Sequence, residues 1–99
     1  MQDAINSYVA LLQAQSDALE NDYQKYIYSV EFAKVWAKVF KTPVIGAGSS
    51  IHTFIKLETG DIYFAASYKA PSKRIVGNVN NENPLEGVTL HGGRYAKDR

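Results

Sequence analysis

The chain has 99 residues, 45% hydrophobic, 12% aromatic and 21% charged, which are the proportions of a globular chain and exclude a disordered or collagen-like one. It has no cysteine, hence no disulfide framework, thiol nucleophile or thiolate zinc site, and its apolar runs fall far short of the roughly 18 residues of a membrane span, so a soluble, intracellular protein without a membrane partner is expected. The net charge of +1 hides an asymmetry, because residues 1–31 carry five acids against Lys25 while residues 32–81 carry seven Lys or Arg against Glu58 and Asp61.

From Asp3 to about Tyr26, the residues Ile5, Tyr8, Val9, Leu12, Leu19, Tyr23 and Tyr26 advance at helical spacing, with neither Gly nor Pro among them. The spacing predicts a long amphipathic helix within residues 1–28, with Asp3 accepting from the free amides of its first turn. At 1.5 Å per residue this helix measures about 36 Å, whereas a compact chain of this length is only about 33 Å across. Such a helix overhangs its own fold or is shared with a second chain.

The apolar period then changes to two. Val30 to Lys41 sets Ala37 and Val39 against Trp36, Lys38 and Phe40; Ser50 to Glu58 sets Ile51, Thr53 and Ile55 against His52, Phe54 and Lys56; Asp61 to Lys69 sets Ile62 and Phe64 against Tyr63 and Ala65. Glu58-Thr59-Gly60-Asp61 supplies a hairpin turn between the last two. An antiparallel meander of three or more strands is expected within residues 30–79. Pro43, Gly46 and Gly48 make residues 42–49 a connector. Beyond Lys69 there is room for a turn or one short strand, and residues 80–99 read as a loop-rich end. The fold class is α+β. One helix covers one face of such a sheet, and the other, with Trp36, Phe40 and Phe54, points to self-association unless the C-terminal segment folds back over it.

Little in the chain favours an enzyme. His52 and His91 lack companion carboxylates at metal-site spacing, Ser49 and Ser50 lack a nucleophile-elbow context, and Gly46-Ala47-Gly48-Ser49-Ser50 precedes a strand rather than the helix of a phosphate loop. No catalytic residue, metal or cofactor is expected. By contrast, Tyr68, Lys69, Lys73, Arg74 and Asn78 fall within eleven residues. A ring can stack on a base, ammonium and guanidinium groups suit phosphates, and an Asn amide both donates and accepts, which is the chemistry of nucleotide capture.

The runs Ser49-Ser50-Ile51-His52-Thr53-Phe54-Ile55, Glu58-Thr59-Gly60-Asp61-Ile62-Tyr63, Ala65-Ala66-Ser67-Tyr68-Lys69-Ala70-Pro71-Ser72-Lys73 and Gly77-Asn78-Val79 resemble, in order and spacing, a pattern of small phage proteins. The characterised family they look most like is the first Thoeris anti-defence family, sponges for cyclic nucleotide signals of bacterial immunity. The resemblance covers residues 49–79. It implies a homodimer or a dimer-built hexamer in the host bacterial cytoplasm, holding glycocyclic ADP-ribose or, in some members, cyclic di- or trinucleotides. It implies that Tyr68 stacks on adenine, that Asn78 hydrogen-bonds the ligand and that Arg94 meets phosphates, with Lys69, Lys73 and Arg74 as further cations. Val76 stands where the pattern has Arg. Two other readings compete with the sponge: a phage protein that binds nucleic acid through the aromatic and basic cluster, and one that meets a host protein. Nucleic acid is the less expected partner, because a uniform coat on it calls for a larger basic excess.

Overall fold

The structure, a computed structural model, describes residues 1–46, 48–67, 70–90 and, for the backbone, 92–93. Helix α1 (Gln2–Asp17) leads into a 3-10 turn over Asp22–Gln24 and then into five strands: β1 (Tyr26–Phe32), β2 (Trp36–Pro43), β3 (Ser50–Lys56), β4 (Asp61–Ala65) and β5 (Pro71–Asn78). These form one antiparallel sheet in the order β1-β2-β3-β4-β5. Two short strands, β6 (Val88–Thr89) and β7 (Gly92–Gly93), make a small hairpin beside it. Among the described residues no helix is long and apolar enough to cross a membrane.

The helix is much shorter than its apolar spacing predicts. Its 16 residues measure about 24 Å and fit within a body of 35 × 26 × 25 Å. No overhang exists, so that argument for a shared helix falls. Tyr26 belongs to β1 rather than to the helix. The break comes from turn chemistry: the Asn21 side chain accepts from the Tyr23 amide at 2.9 Å and opens the 3-10 turn. Asp3 lies in the first turn but makes no capping bond, and the N-cap position is Met1.

The last helical turns also explain why β1 can be an edge strand. The Gln13 side-chain amide donates to the Tyr26 carbonyl at 3.0 Å and accepts from the Tyr28 amide at 2.9 Å. Ser16 Oγ donates to the same Tyr26 carbonyl at 3.1 Å and accepts from the Tyr26 amide at 2.8 Å. Two side chains thus stand in for a sixth strand, satisfying backbone groups that an edge leaves open.

The inner face of the sheet holds the core. Ile5, Tyr8 and Leu12 of α1 recur every three or four residues and pack on Tyr28, Ala37, Val39, Ile55 and Ile62, all buried. Val79, Leu85 and Val88 of the C-terminal segment complete the same cluster. The segment therefore folds back, but over the face that the helix already covers. The outer face keeps Trp36, Lys38 and Phe54 without a covering element among the described residues.

An irregularity in β3 corrects the expected alternation. Val39 pairs with Thr53 but Phe40 with Ile51, so His52 is an extra residue in the ladder. Thr53 faces the helix, its Oγ1 3.0 Å from the Tyr8 hydroxyl, and His52 stands on the same side, its ring edge-to-face with Tyr28 at 5.5 Å. Ile51 moves to the outer face beside Phe40. The bonds also fix a direction. His52 Nε2 lies 2.7 Å from the Thr89 carbonyl, which can only accept. With the ring neutral, its proton sits on Nε2, Nδ1 accepts from Thr53 Oγ1 at 3.0 Å, and Thr53 accepts from Tyr8. Tyr28 adds a second tie by donating to the Leu90 carbonyl at 2.6 Å.

The β5 strand is longer than the turn or short strand expected after Lys69. Its eight residues pair with β4 through two register shifts, between Ile62 and Tyr63 and between Tyr63 and Ala65. These shifts disrupt the period-two pattern on which a strand is recognised. Pro71 occupies the first position of this edge strand, where a missing amide proton costs least.

Candidate functional site

Strand β4 ends at Ala65 and β5 begins at Pro71, and the connection is drawn tight by its own backbone. The amides of Ala66 and Ser67 both donate to the Ala70 carbonyl, at 3.0 and 3.1 Å, and the Ala70 amide returns to Ser67 at 3.4 Å. Tyr68 and Lys69 belong to this connection but lie outside the described residues, as does Arg94. Beside it runs a groove of about 410 Å³ lined by Ala66, Pro71, Ser72, Lys73 and Arg74.

Two properties of the groove bear on chemistry. Lys73 and Arg74 are exposed, and as successive residues of β5 they send an ammonium and a guanidinium to opposite faces of the strand start, each suited to a phosphate, while the groove itself is lined mostly by apolar atoms. Ser72 buries its hydroxyl with no hydrogen-bond partner among the described residues. Buried hydroxyls are nearly always satisfied, and this one is enclosed rather than open to the groove. The sequence-based reading missed Ser72, and its only signal is its position between Pro71 and Lys73.

Asn78 stands apart from this group. It ends β5, five residues from Lys73, or about 16 Å along an extended strand. Its amide is already committed: Nδ2 donates to the Thr59 carbonyl at 3.0 Å and to Asp61 Oδ1 at 2.9 Å, and Oδ1 accepts from the Asn80 amide at 2.8 Å. These bonds lock the β3–β4 turn to the start of the C-terminal segment. Gly60 makes the lock possible, with φ at +81° and so little space that a Cβ would lie 2.8 Å from Asn80 Nδ2. The structure thus keeps Lys73 and Arg74 at the start of β5 and Asn78 at its end, where the neighbouring Gly77 borders a second depression of about 200 Å³ that also touches Asn81 and Glu86.

Elsewhere titration is shaped by burial. Desolvation by burial pushes the Tyr8 hydroxyl well above its usual range. Desolvation raises Tyr28 too, reinforced by the neighbouring Tyr26 and Tyr8 hydroxyls. Lys41, whose ammonium sits 5.0 Å above the Tyr26 ring, is lowered by burial. Among the described residues no three His, Asp or Glu side chains converge as metal ligands would.

The chain belongs to a family described as Family of unknown function (DUF7717), whose model matches residues 2–94. No curated protein and no solved structure matches it.

Proposed function

We propose that the protein is a non-enzymatic sponge of phage origin that binds and sequesters, without cleaving, a cyclic nucleotide immune signal such as glycocyclic ADP-ribose, in the host bacterial cytoplasm. The observation that carries this reading is the groove at the β4–β5 connection. Its volume of about 410 Å³ falls within the roughly 300–1,000 Å³ of small-ligand sites. Lys73 and Arg74, at the start of β5 beside the groove, supply the cations that meet phosphates. The resemblance adds Tyr68, stacked on adenine, and Lys69, both outside the described residues. Cyclic di- and trinucleotides are the second ligand class in this reading.

Sequestration sets a demand on affinity. A sponge lowers free signal stoichiometrically only with a dissociation constant near nanomolar, about −12 kcal/mol. An open groove on one protomer falls short of that, so a second copy, in a homodimer or a hexamer built from dimers, closes it. Ile75 on β5, 51% exposed, offers apolar surface for that contact. Calorimetry with a panel of cyclic nucleotides tests the proposal. Tight binding to one member, its intact release on heat denaturation and a loss of at least tenfold in Lys73→Glu support it; absence of binding across the panel ends it.

A further inference from the structure

The outer face of the sheet carries a second constellation, independent of the groove. Trp36 of β2 pairs across to Lys56 of β3, Lys38 to Phe54, and Phe54 in turn to Tyr63 of β4, so all five side chains share one face. The Trp36 ring meets Tyr63 at 5.2 Å and 83°, and Phe54 at 6.1 Å and 86°. Phe54 is buried beneath its neighbours at 1% exposure, whereas Trp36 and Tyr63 remain partly open. Two partly open rings meeting almost at right angles form a corner, in which a flat heterocycle stacks on one ring while its edge meets the other.

The charge beside that corner has one sign. The Lys38 ammonium is held 6.0 Å above the Phe54 ring, and Lys56 flanks Trp36 on the other strand. The acids of this face lie at its borders: Glu31 on the edge strand β1, opposite Lys38, and Asp61, already engaged by Asn78 and Thr59. The near-neutral whole chain therefore conceals a local arrangement of rings interleaved with cations. An acidic protein surface would pair the lysines alone, whereas an unpaired nucleic-acid strand offers together a base for the rings and a phosphate for each lysine.

We propose that this face binds single-stranded nucleic acid, with bases stacked at the Trp36–Tyr63 corner and phosphates on Lys38 and Lys56. Two phosphate contacts on a single strand give a slope of about −1.4 in log affinity against log salt, so raising salt from about 50 to about 200 mM weakens binding roughly sevenfold. The probe is a fluorescein-labelled oligothymidylate of about 15 nucleotides, the upper range for sheet-based single-strand binders, followed by anisotropy and by quenching of Trp36, the only tryptophan. Binding at low salt, quenching of Trp36, the sevenfold salt effect and its loss in Lys38→Ala/Lys56→Ala are the expected results. Tyr63→Leu weakens binding without altering the salt slope, which keeps the ring contribution testable should Trp36→Leu fail to fold. Three results overturn the proposal: no binding at low salt, an unchanged slope in the folded double lysine variant, or displacement of the probe by inorganic polyphosphate as effective, charge for charge, as by unlabelled oligothymidylate. Because neither lysine lines the β4–β5 groove, a cyclic nucleotide titration of the same double variant separates this failure from that of the sponge reading.

Discussion

Replacing Thr53 by Val tests whether the Tyr8–Thr53–His52 chain runs in the direction its acceptors dictate. Valine nearly matches threonine in shape and suits a strand, so the change isolates the hydroxyl. Tyr8 and Thr53 are fully buried and His52 is 2% exposed, which denies water access to any group left behind. In Tyr8→Phe, Thr53 Oγ1 loses an incoming bond but still donates to His52 Nδ1, and the cost is about 1 kcal/mol, that of one neutral hydrogen bond. In Thr53→Val the Tyr8 hydroxyl is stranded and His52 Nδ1 loses its bond to Thr53, at about 1–3 kcal/mol each, or roughly 4 kcal/mol together. The double variant loses only the bond to Nδ1 and costs about 2 kcal/mol, less than Thr53→Val alone. Urea unfolding of the four proteins by circular dichroism, with unchanged m-values, reads these differences. Costs that simply add within about 0.5 kcal/mol, or a Tyr8→Phe as damaging as Thr53→Val, would refute the directed chain.

Gln13→Ala removes the side-chain amide that braces β1 at Tyr26 and Tyr28 and should cost about 1–3 kcal/mol. Hydrogen exchange should show the Tyr28 amide losing protection well before that of Val39, and equal protection in both proteins would mean the brace is idle. Alkaline pH should destabilise the fold. Tyr8 and Tyr28 have native pKa values raised above the unfolded value near 10, so their contribution is whole below pH 10 and is lost as pH climbs toward the native values, at up to about 2.7 kcal/mol per pH unit for two groups. Two of the seven tyrosines should therefore ionise only as the chain unfolds; smooth titration of all of them in the folded state contradicts this. Asn78→Ala should lower stability by about 1–3 kcal/mol through the unlocked β3–β4 turn, whereas Lys73→Glu, on exposed surface, should stay within about 0.5 kcal/mol. A thermal melt distinguishes them, and a neutral Asn78→Ala would return that residue to the ligand site.

The sheet was readable where its pattern is regular. The alternation of β2, β3 and β4 places Trp36, Lys38 and Phe54 on one face and Ala37, Val39 and Ile55 on the other, as the pairing has them. Reading failed where a local device overrides the period. Tyr23 and Tyr26 continue the helical spacing of α1, but Asn21 and Asp22 form a turn and the backbone of Tyr26 is claimed by Ser16 and Gln13. An apolar stripe records only which side chains are buried, and a half-buried tyrosine satisfies a helix and a strand equally well. The bulge at His52 and the shifts in β5 are likewise invisible to a strict alternation, since one extra residue turns every later side chain to the opposite face.

The candidate site divides along the same line. Proximity in sequence sets Lys73 and Arg74 at one end of β5, though on its opposite faces. Asn78 stands at the other end, because five residues of extended strand separate it from Lys73 by about 16 Å where a turn would have brought them together. The residue type pointed the same way: Asn after Gly is turn chemistry, and its amide is spent on the backbone it turns. Clustered polar residues thus report a shared site only once the intervening chain is known to be bent. Ser72 is the converse case, unremarkable by type and spacing, and distinguished only by a buried hydroxyl that no described residue meets.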